Sequence, residues 1–457
     1  VTPWLGGRTE YESDNVLPYP DQALFLALRG AGQEAVMQVL WIYEHPLDMD
    51  GLRRFHRNFG RGLLARRIET SPLPFGRHRW VASGPPPEIE IDEMPRERSD
   101  LYSWADEQVD DRPLDPEQGP GWRIGVQSFS DGSTAVSLVV SHCIADGGAV
   151  VIALLEAING QPRDLGYPQP RSRTRWGAAR ADLRQLRYDW PEIRQTVRKA
   201  VTVGRRRRKD ITARRPASPL RPGASDLAHV PSTTVVVDVE EWDRRAENLG
   251  GNSFSLVAAF VAKIAQHLGR MRASDGRVTL IIPVNDREDF ADTGGNVVAL
   301  ANVCVDPALV TADLTPARSA IRDALKRARE APDEMVELLP LIPFLPKRAM
   351  APMADAAFGF STDLPVSCSN MGDLPTEVNR LDGTAADYVC FRGVDRRVRR
   401  DTLERRHGLL TVASGRVGGK IINTVISYQP GADNSTSHLR EVVGSTLVEF
   451  GLAGEIL

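Results

Sequence analysis

Residues 123–158 constrain the fold more tightly than any other stretch. Residues 123–129 and 134–141 are β-rich runs separated by Ser130-Asp131-Gly132-Ser133, a turn-forming quartet, and together they read as a hairpin. Residues 149–158 form an apolar run long enough for a buried helix, which stops near Gly160. Between hairpin and helix lies Ser141-His142-Cys143-Ile144-Ala145-Asp146-Gly147. Gly147 and Gly148 permit a tight turn, so an imidazole is held at a corner where a buried strand becomes a helix.

A histidine suits proton transfer near neutral pH because its unperturbed pKa lies close to the working pH, provided the ring is held in one tautomer. Asp146, four positions on, can fold back under the corner and pair with an arginine, which would keep the turn rigid. Gly147 would let backbone and substrate approach closely. The plainer alternative for His142 and Asp146 is a core histidine beside a capping aspartate. Cys143 invites a nucleophile reading, but neighbouring residues at a strand end point in opposite directions, so it faces away from whatever His142 faces.

The rest of the chain alternates sheet and helix. Before the hairpin come an opening helix at 18–28, a strand at 34–44, and a helix with Leu52, Phe55, Phe59 and Leu63 on one face, for which Asp50 is the expected cap. His78 falls in a stretch of breakers that reads as surface loop, and 99–109 reads as helix. After 229 the pattern restarts. Strands are expected at 232–239, 278–283, 296–305, 365–372, 387–392, 409–413 and 420–428, with helices opened by Asn252-Ser253, from Thr315 to about Glu330, and from Ser437 to about Phe450. Both halves are therefore sheet covered by helices, an α/β chain with an N-terminal lobe at 1–165, a basic crossover with a helix at 166–228 and a C-terminal lobe at 229–457.

Composition narrows the function classes. The four cysteines, Cys143, Cys304, Cys368 and Cys390, are widely spaced and show no metal or disulfide pattern, so no metal site is expected. No leader pattern or membrane-spanning run is visible, and the expectation is a cytoplasmic protein, peripheral to a membrane at most. Net charge is −3, yet residues 171–215 hold 16 Lys or Arg against 4 Asp or Glu. That island reads first as a solvated crossover ending in a linker at Pro216, Pro219 and Pro222. As a functional surface it would suit an anionic membrane, an acidic acyl carrier protein or coenzyme A phosphates. Nucleic acid is not expected, because neither zinc spacing nor an aromatic RNA-binding signature accompanies the charge.

Taken together, His142-x-x-x-Asp146-Gly147, Pro283-Val284-Asn285-Asp286-Arg287 and Ser369-Asn370-Met371-Gly372 resemble the chloramphenicol-acetyltransferase-like superfamily, which includes peptide-synthetase condensation domains. The order of features is most similar to the bacterial wax ester synthase/diacylglycerol acyltransferases and the mycobacterial polyketide-associated acyltransferases. It runs from Pro113-Leu114-Asp115 to Trp122, then the histidine corner, the helix start at Asn252, the Pro-Val-x-x-Arg strand and the Ser-Asn turn. Ser141 stands where the family has a first histidine, Ser253 where an aspartate follows the asparagine, and Gly121 where leucine precedes the tryptophan. The Asp-Phe-Gly-Trp-Gly element of the plant acyltransferases is absent.

The resemblance implies two α/β lobes with mixed sheets, arranged as a pseudo-dimer around a central tunnel with His142 midway. It implies no permanently bound cofactor. An acyl-coenzyme A or phosphopantetheine thioester would be the co-substrate, and an alcohol, or less readily an amine, the acceptor. His142 would be the base, with Asp146 and Gly147 supporting it and Arg287 pairing structurally with Asp146. Asn370 is a candidate oxyanion donor, and Asn252 and Ser369 are candidate substrate contacts. For both asparagines, turn and cap chemistry is the competing account. An amide-forming condensation enzyme and a non-catalytic acyl- or carrier-binding module are the alternatives.

Overall fold

The structure is a computed structural model that describes residues 15–31, 34–112, 114–207, 226–330, 336–346 and 364–457. In the first half the elements are α1 (Tyr19–Ala31), β1 (Glu34–Tyr43), α2 (Met49–Phe59), a small hairpin of β2 (Arg66–Glu69) and β3 (Arg79–Ala82), β4 (Glu90–Arg96), α3 (Leu101–Asp110), β5 (Trp122–Phe129), β6 (Thr134–Ser141) and α4 (Gly147–Ile158). A single long helix, α5 (Arg175–Arg207), follows. The second half holds β7 (Ser232–Asp238), α6 (Val239–Asn248), α7 (Ser253–His267), β8 (Val278–Asn285), β9 (Val298–Val305), α8 (Thr315–Glu330), β10 (Val366–Asp373), β11 (Tyr388–Arg396), α9 (Arg400–Arg405), β12 (Leu409–Val417), β13 (Lys420–Tyr428), α10 (Thr436–Glu449) and β14 (Glu455–Ile456).

β5 and β6 form the expected hairpin, in antiparallel register from Trp122↔Val140 to Ser128↔Thr134. Every residue of β6 is buried, as befits a strand covered on both faces, and the hydroxyl of Ser137 within it accepts from Gln38. The hairpin lies inside a five-stranded sheet of order β11-β1-β6-β5-β4. The second sheet has seven strands in the order β14-β7-β13-β12-β10-β8-β9, with β10 parallel to both β8 and β12. Each sheet carries its own principal hydrophobic cluster, around Trp41, Trp104 and Phe59 in the first and Trp242, Phe260 and Phe450 in the second.

The halves are laced rather than consecutive. β11 comes from the segment assigned to the C-terminal lobe, yet it pairs antiparallel with β1, from Glu34↔Arg396 to Ile42↔Tyr388, and forms an edge of the first sheet. Arg392 on that strand is buried and donates to Gln38 Oε1 at 2.6 Å and to Ser232 Oγ at 2.8 Å, so one guanidinium joins both sheets. Sequence periodicity could not show this, because a strand's alternation says which face is buried and not which sheet receives it.

Several local expectations change. Asp48, not Asp50, caps α2, because Asp48 is extended at φ −76°, ψ 96° and accepts from the Asp50 and Gly51 N–H groups. His78 is buried, and burial lowers its imidazole pKa to about 4. Its Nδ1 accepts from the Ser71 N–H at 3.3 Å, as a neutral ring can. The crossover helix is docked on the first lobe: Asp189 pairs with Arg77 at 3.2 Å, and Asp182 accepts from Ser71 Oγ at 2.5 Å. Pro113 and the proline-rich end of the crossover, with Pro216, Pro219 and Pro222, lie outside the described residues.

Candidate functional site

His142 is the first residue beyond β6. Its N–H donates to the Ala35 carbonyl at 3.0 Å, which extends the β1–β6 register, Val36↔Ser141, by one step. Ala35 in turn stands opposite Asp395 of β11. Residues opposite one another in an antiparallel sheet share a face, so His142, Ala35 and Asp395 form one row, with a methyl group between imidazole and carboxylate. Met37 and Gly393 are the next pair on that face. Ala35 and Met37 are half-buried and Gly393 is exposed, and a Cβ built on Gly393 meets nothing within 4 Å. Further along the same face, the Phe391 ring lies 3.0 Å from a Cβ built on Gly415 of β12. This face therefore looks at the second sheet, which it touches at Phe391, and is exposed at Gly393.

The imidazole is held by a residue the sequence reading missed. Asn296 Oδ1 lies 3.0 Å from His142 Nδ1. The amide's orientation follows from its other contacts: Asn296 Nδ2 donates to Asp21 Oδ1 at 2.9 Å and to the His142 carbonyl at 3.2 Å, and a carbonyl can only accept. Oδ1 must then face the ring, so Nδ1 carries the proton and Nε2 keeps its lone pair. His142 is itself only half-buried. The arrangement leaves one nitrogen able to accept a proton.

Asp146 caps α4, accepting from the Ala149 N–H at 2.8 Å. The same carboxylate accepts from the Val297 N–H at 2.8 Å and pairs with Arg287 at 2.8 Å, and both of those charged side chains are 3% exposed or less. Arg287 also donates to the Gly294 carbonyl at 3.0 Å, and the Asp146 N–H donates to that of Gly295 at 2.7 Å. Arg66, fully buried against Trp80 at 4.3 Å, donates to the Thr293 and Ile144 carbonyls. Residues 293–297 thus form a strap from the second lobe, bonded to the first at Thr293, Gly295, Asn296 and Val297 and tied back to Arg287 at Gly294. Asp21 on α1 secures its middle, accepting from the Gly295 N–H at 3.0 Å as well as from Asn296. Burial pushes the Asp21 carboxyl above its ordinary value, against the pull of Arg66.

The two glycines of the corner are required by neighbours. A Cβ on Gly148 would sit 2.8 Å from the Arg287 guanidinium, and one on Gly147 would sit 3.0 Å from Met371 Cε. The second contact brings Ser369-Asn370-Met371-Gly372 against the corner, and these residues lie within β10 at a register shift between Asn370 and Asp373 rather than in a turn that ends it. Asn370 Oδ1 accepts from the Gly372 N–H at 2.8 Å, a local turn bond that leaves the Nδ2 donors facing elsewhere. Ser369 lies beside it on β10, half-buried. Asn252 is elsewhere: it is exposed and closes a capping box with Ser255 at the start of α7. Cys143 points into the first lobe's core, where burial pushes its thiol up to about 12, far from a reactive thiolate. Asp395 is half-buried near Arg406 at 3.9 Å; burial raises its carboxyl, while Arg406 and His142 act in the opposite sense.

Signals for the missed residues existed but were local. Gly294-Gly295-Asn296 is a turn signal that had been partly absorbed into a strand expected from 296, whereas β9 begins at Val298. Asp21 is the lone acid of α1, and it is fully buried.

No family model matches the chain, and no curated protein matches it. Solved structures do. The first condensation domain of the CDA synthetase is 15% identical, with 97% of this chain and 99% of that chain covered at a TM-score of 0.55. The wax ester synthase/diacylglycerol acyltransferase from Marinobacter aquaeolei VT8 is 16% identical, with 96% and 100% covered at 0.54. The nonribosomal peptide synthetase FmoA3, in its AMPPNP-bound form, is 15% identical at 0.52; 95% of this chain is covered but only 42% of that longer one. At such identities the likeness is one of fold: the two-sheet, two-lobed arrangement of this chain is similar to that of this condensation domain and of this wax ester synthase/diacylglycerol acyltransferase.

Proposed function

We propose that the chain is an acyltransferase that moves an acyl group from a thioester, carried by coenzyme A or by the phosphopantetheine of a carrier protein, to an alcohol acceptor. The observation that supports this reading is the half-buried His142 ring, held at Nδ1 by Asn296 so that Nε2 keeps its lone pair. A base fixed in one tautomer suits a reaction that needs one proton taken from an incoming nucleophile.

In the proposed step, Nε2 takes the hydroxyl proton as the acceptor oxygen attacks the thioester carbonyl. The tetrahedral oxyanion collapses, the carbon–sulfur bond breaks, and the thiolate leaves with the proton returned by His142. Asn370 is the candidate donor to the oxyanion, through the Nδ2 group that its turn bond leaves available. Asp146 and Arg287 act structurally, by holding the strap that carries Asn296. Asn252 is given no role in this step; its exposed side chain caps α7 through Oδ1.

The test is turnover with a panel of acyl thioesters against alcohols and amines, products being identified by mass. His142→Ala should lose about 10²- to 10⁴-fold in turnover with the fold intact. Unchanged turnover would remove His142 as the base, and amide without ester would replace the alcohol by an amine.

A further inference from the structure

The long helix α5 presents a face whose chemistry is sorted. Between Arg175 and Thr202 its acids are Asp182, Asp189 and Glu192, and none is exposed. Asp182 and Asp189 are turned inward to Ser71, Arg79 and Arg77 of the first lobe, at 2.5, 3.4 and 3.2 Å. Arg175, Arg180, Arg184, Arg187, Arg194 and Arg198 all point to solvent. Trp176, Leu183, Trp190 and Val197 are seven residues apart and 87%, 52%, 57% and 46% exposed. Such spacing drifts only about 20° per step, so the four lie in one line about 32 Å long beside the arginines.

An apolar line with bulky aromatics, bordered on its solvent side by arginines alone, needs an occupant that is apolar within and negative at its surface. We propose that this face of α5 lies on an anionic phospholipid bilayer, with Trp176, Leu183, Trp190 and Val197 inserted at the headgroup boundary and the arginines on lipid phosphates. Self-association fits poorly, since two copies would bring arginine rows together with no exposed acid on either helix. An acidic carrier protein would satisfy the arginines and leave the tryptophan line uncovered. Among the described residues no helix is long and apolar enough to cross a membrane, so the helix lies on the surface.

The full chain would be tested by co-sedimentation with vesicles of phosphatidylcholine alone and of phosphatidylcholine mixed equally with phosphatidylglycerol. Binding to the mixed vesicles should be at least about tenfold tighter and should weaken with salt. Trp176→Ala with Trp190→Ala should lower it about tenfold at every salt concentration, while Arg184→Gln, Arg187→Gln and Arg198→Gln together should abolish the preference for phosphatidylglycerol. These side chains are exposed, so circular dichroism should be unchanged. The His142→Ala variant should bind as tightly as the parent, which separates this proposal from the one about chemistry. No binding to anionic vesicles, or binding by either set of variants as tight as the parent's, would overturn it, as would capture of an acidic carrier protein by the arginines alone.

Discussion

Each lobe begins a buried helix with a side-chain oxygen over its first turn, and both capping residues are extended. Asp146 before α4 has φ −98°, ψ 179°, and Asn252 before α7 has φ −145°, ψ 173°. Each accepts from the N–H three residues on, at 2.8 and 2.9 Å. They differ in what else the side chain reaches. Asn252 is exposed and its partner is Ser255, which returns a bond to the Asn252 N–H at 2.7 Å, so the motif closes within four residues. Asp146 is buried, and its carboxylate takes bonds from Arg287 and Val297 of the other lobe. The same cap thus ends one helix and, with a negative charge in place of an amide, joins two lobes around a histidine.

The largest expected effect comes from removing the distant partner. Arg287→Met leaves the Asp146 carboxylate buried without its cation and should destabilise the fold by about 3–5 kcal/mol in chemical denaturation, with turnover lost in parallel. Asp146→Asn sharpens the point, because asparagine caps as well as aspartate. Were the residue only a cap, that variant would match the parent. We expect it instead to lose both stability and turnover by leaving Arg287 unpaired, and the double variant with Arg287→Met to recover part of the stability.

Asn296 comes next, since it translates the strap into the orientation of the imidazole. Asn296→Ala removes the acceptor for His142 Nδ1 and the donors to Asp21, so the ring gains a second orientation. Turnover should fall about 10- to 100-fold, the scale reached when an outer partner that fixes an imidazole is lost. KM for the thioester should hold, and the acid limb of the pH–rate profile should move, which a purely structural role would not produce. Unaltered turnover and profile would mean that the ring is held by something other than this amide.

How much of this was legible follows from the same contrast. The hairpin, the corner at His142 and the helix after Gly147 are written in neighbouring residues, where turn formers, burial and cap chemistry act over a few positions. Arg287 is singled out through the family resemblance, which pairs it with Asp146, and not through any local pattern. The strap could not: Asn296 and Asp21 are 275 positions apart and meet through a single side-chain bond. β11 was likewise visible as a strand and invisible as part of the first sheet, because its register with β1 is set by packing of the whole fold. In the sequence the apolar residues of α5 are simply interleaved with arginines, and only the docking of Asp182 and Asp189 reveals that the helix turns these acids inward and Trp176 and Trp190 outward.

The smallest expected effect lies at Asn252, and it decides whether the comparison between the two helix starts holds. Asn252→Ala removes one cap bond at the protein's surface, and the loss should be about 1 kcal/mol, as for exposed caps generally. Asn252→Asp should be close to neutral, since the aspartate keeps the acceptor and nothing of the other lobe reaches it. Turnover with any thioester should be unchanged in both. A loss of turnover without a loss of stability would make Asn252 a substrate contact after all. The difference between the lobes would then lie in which ligand each cap meets, and no longer in whether the cap reaches beyond its own helix.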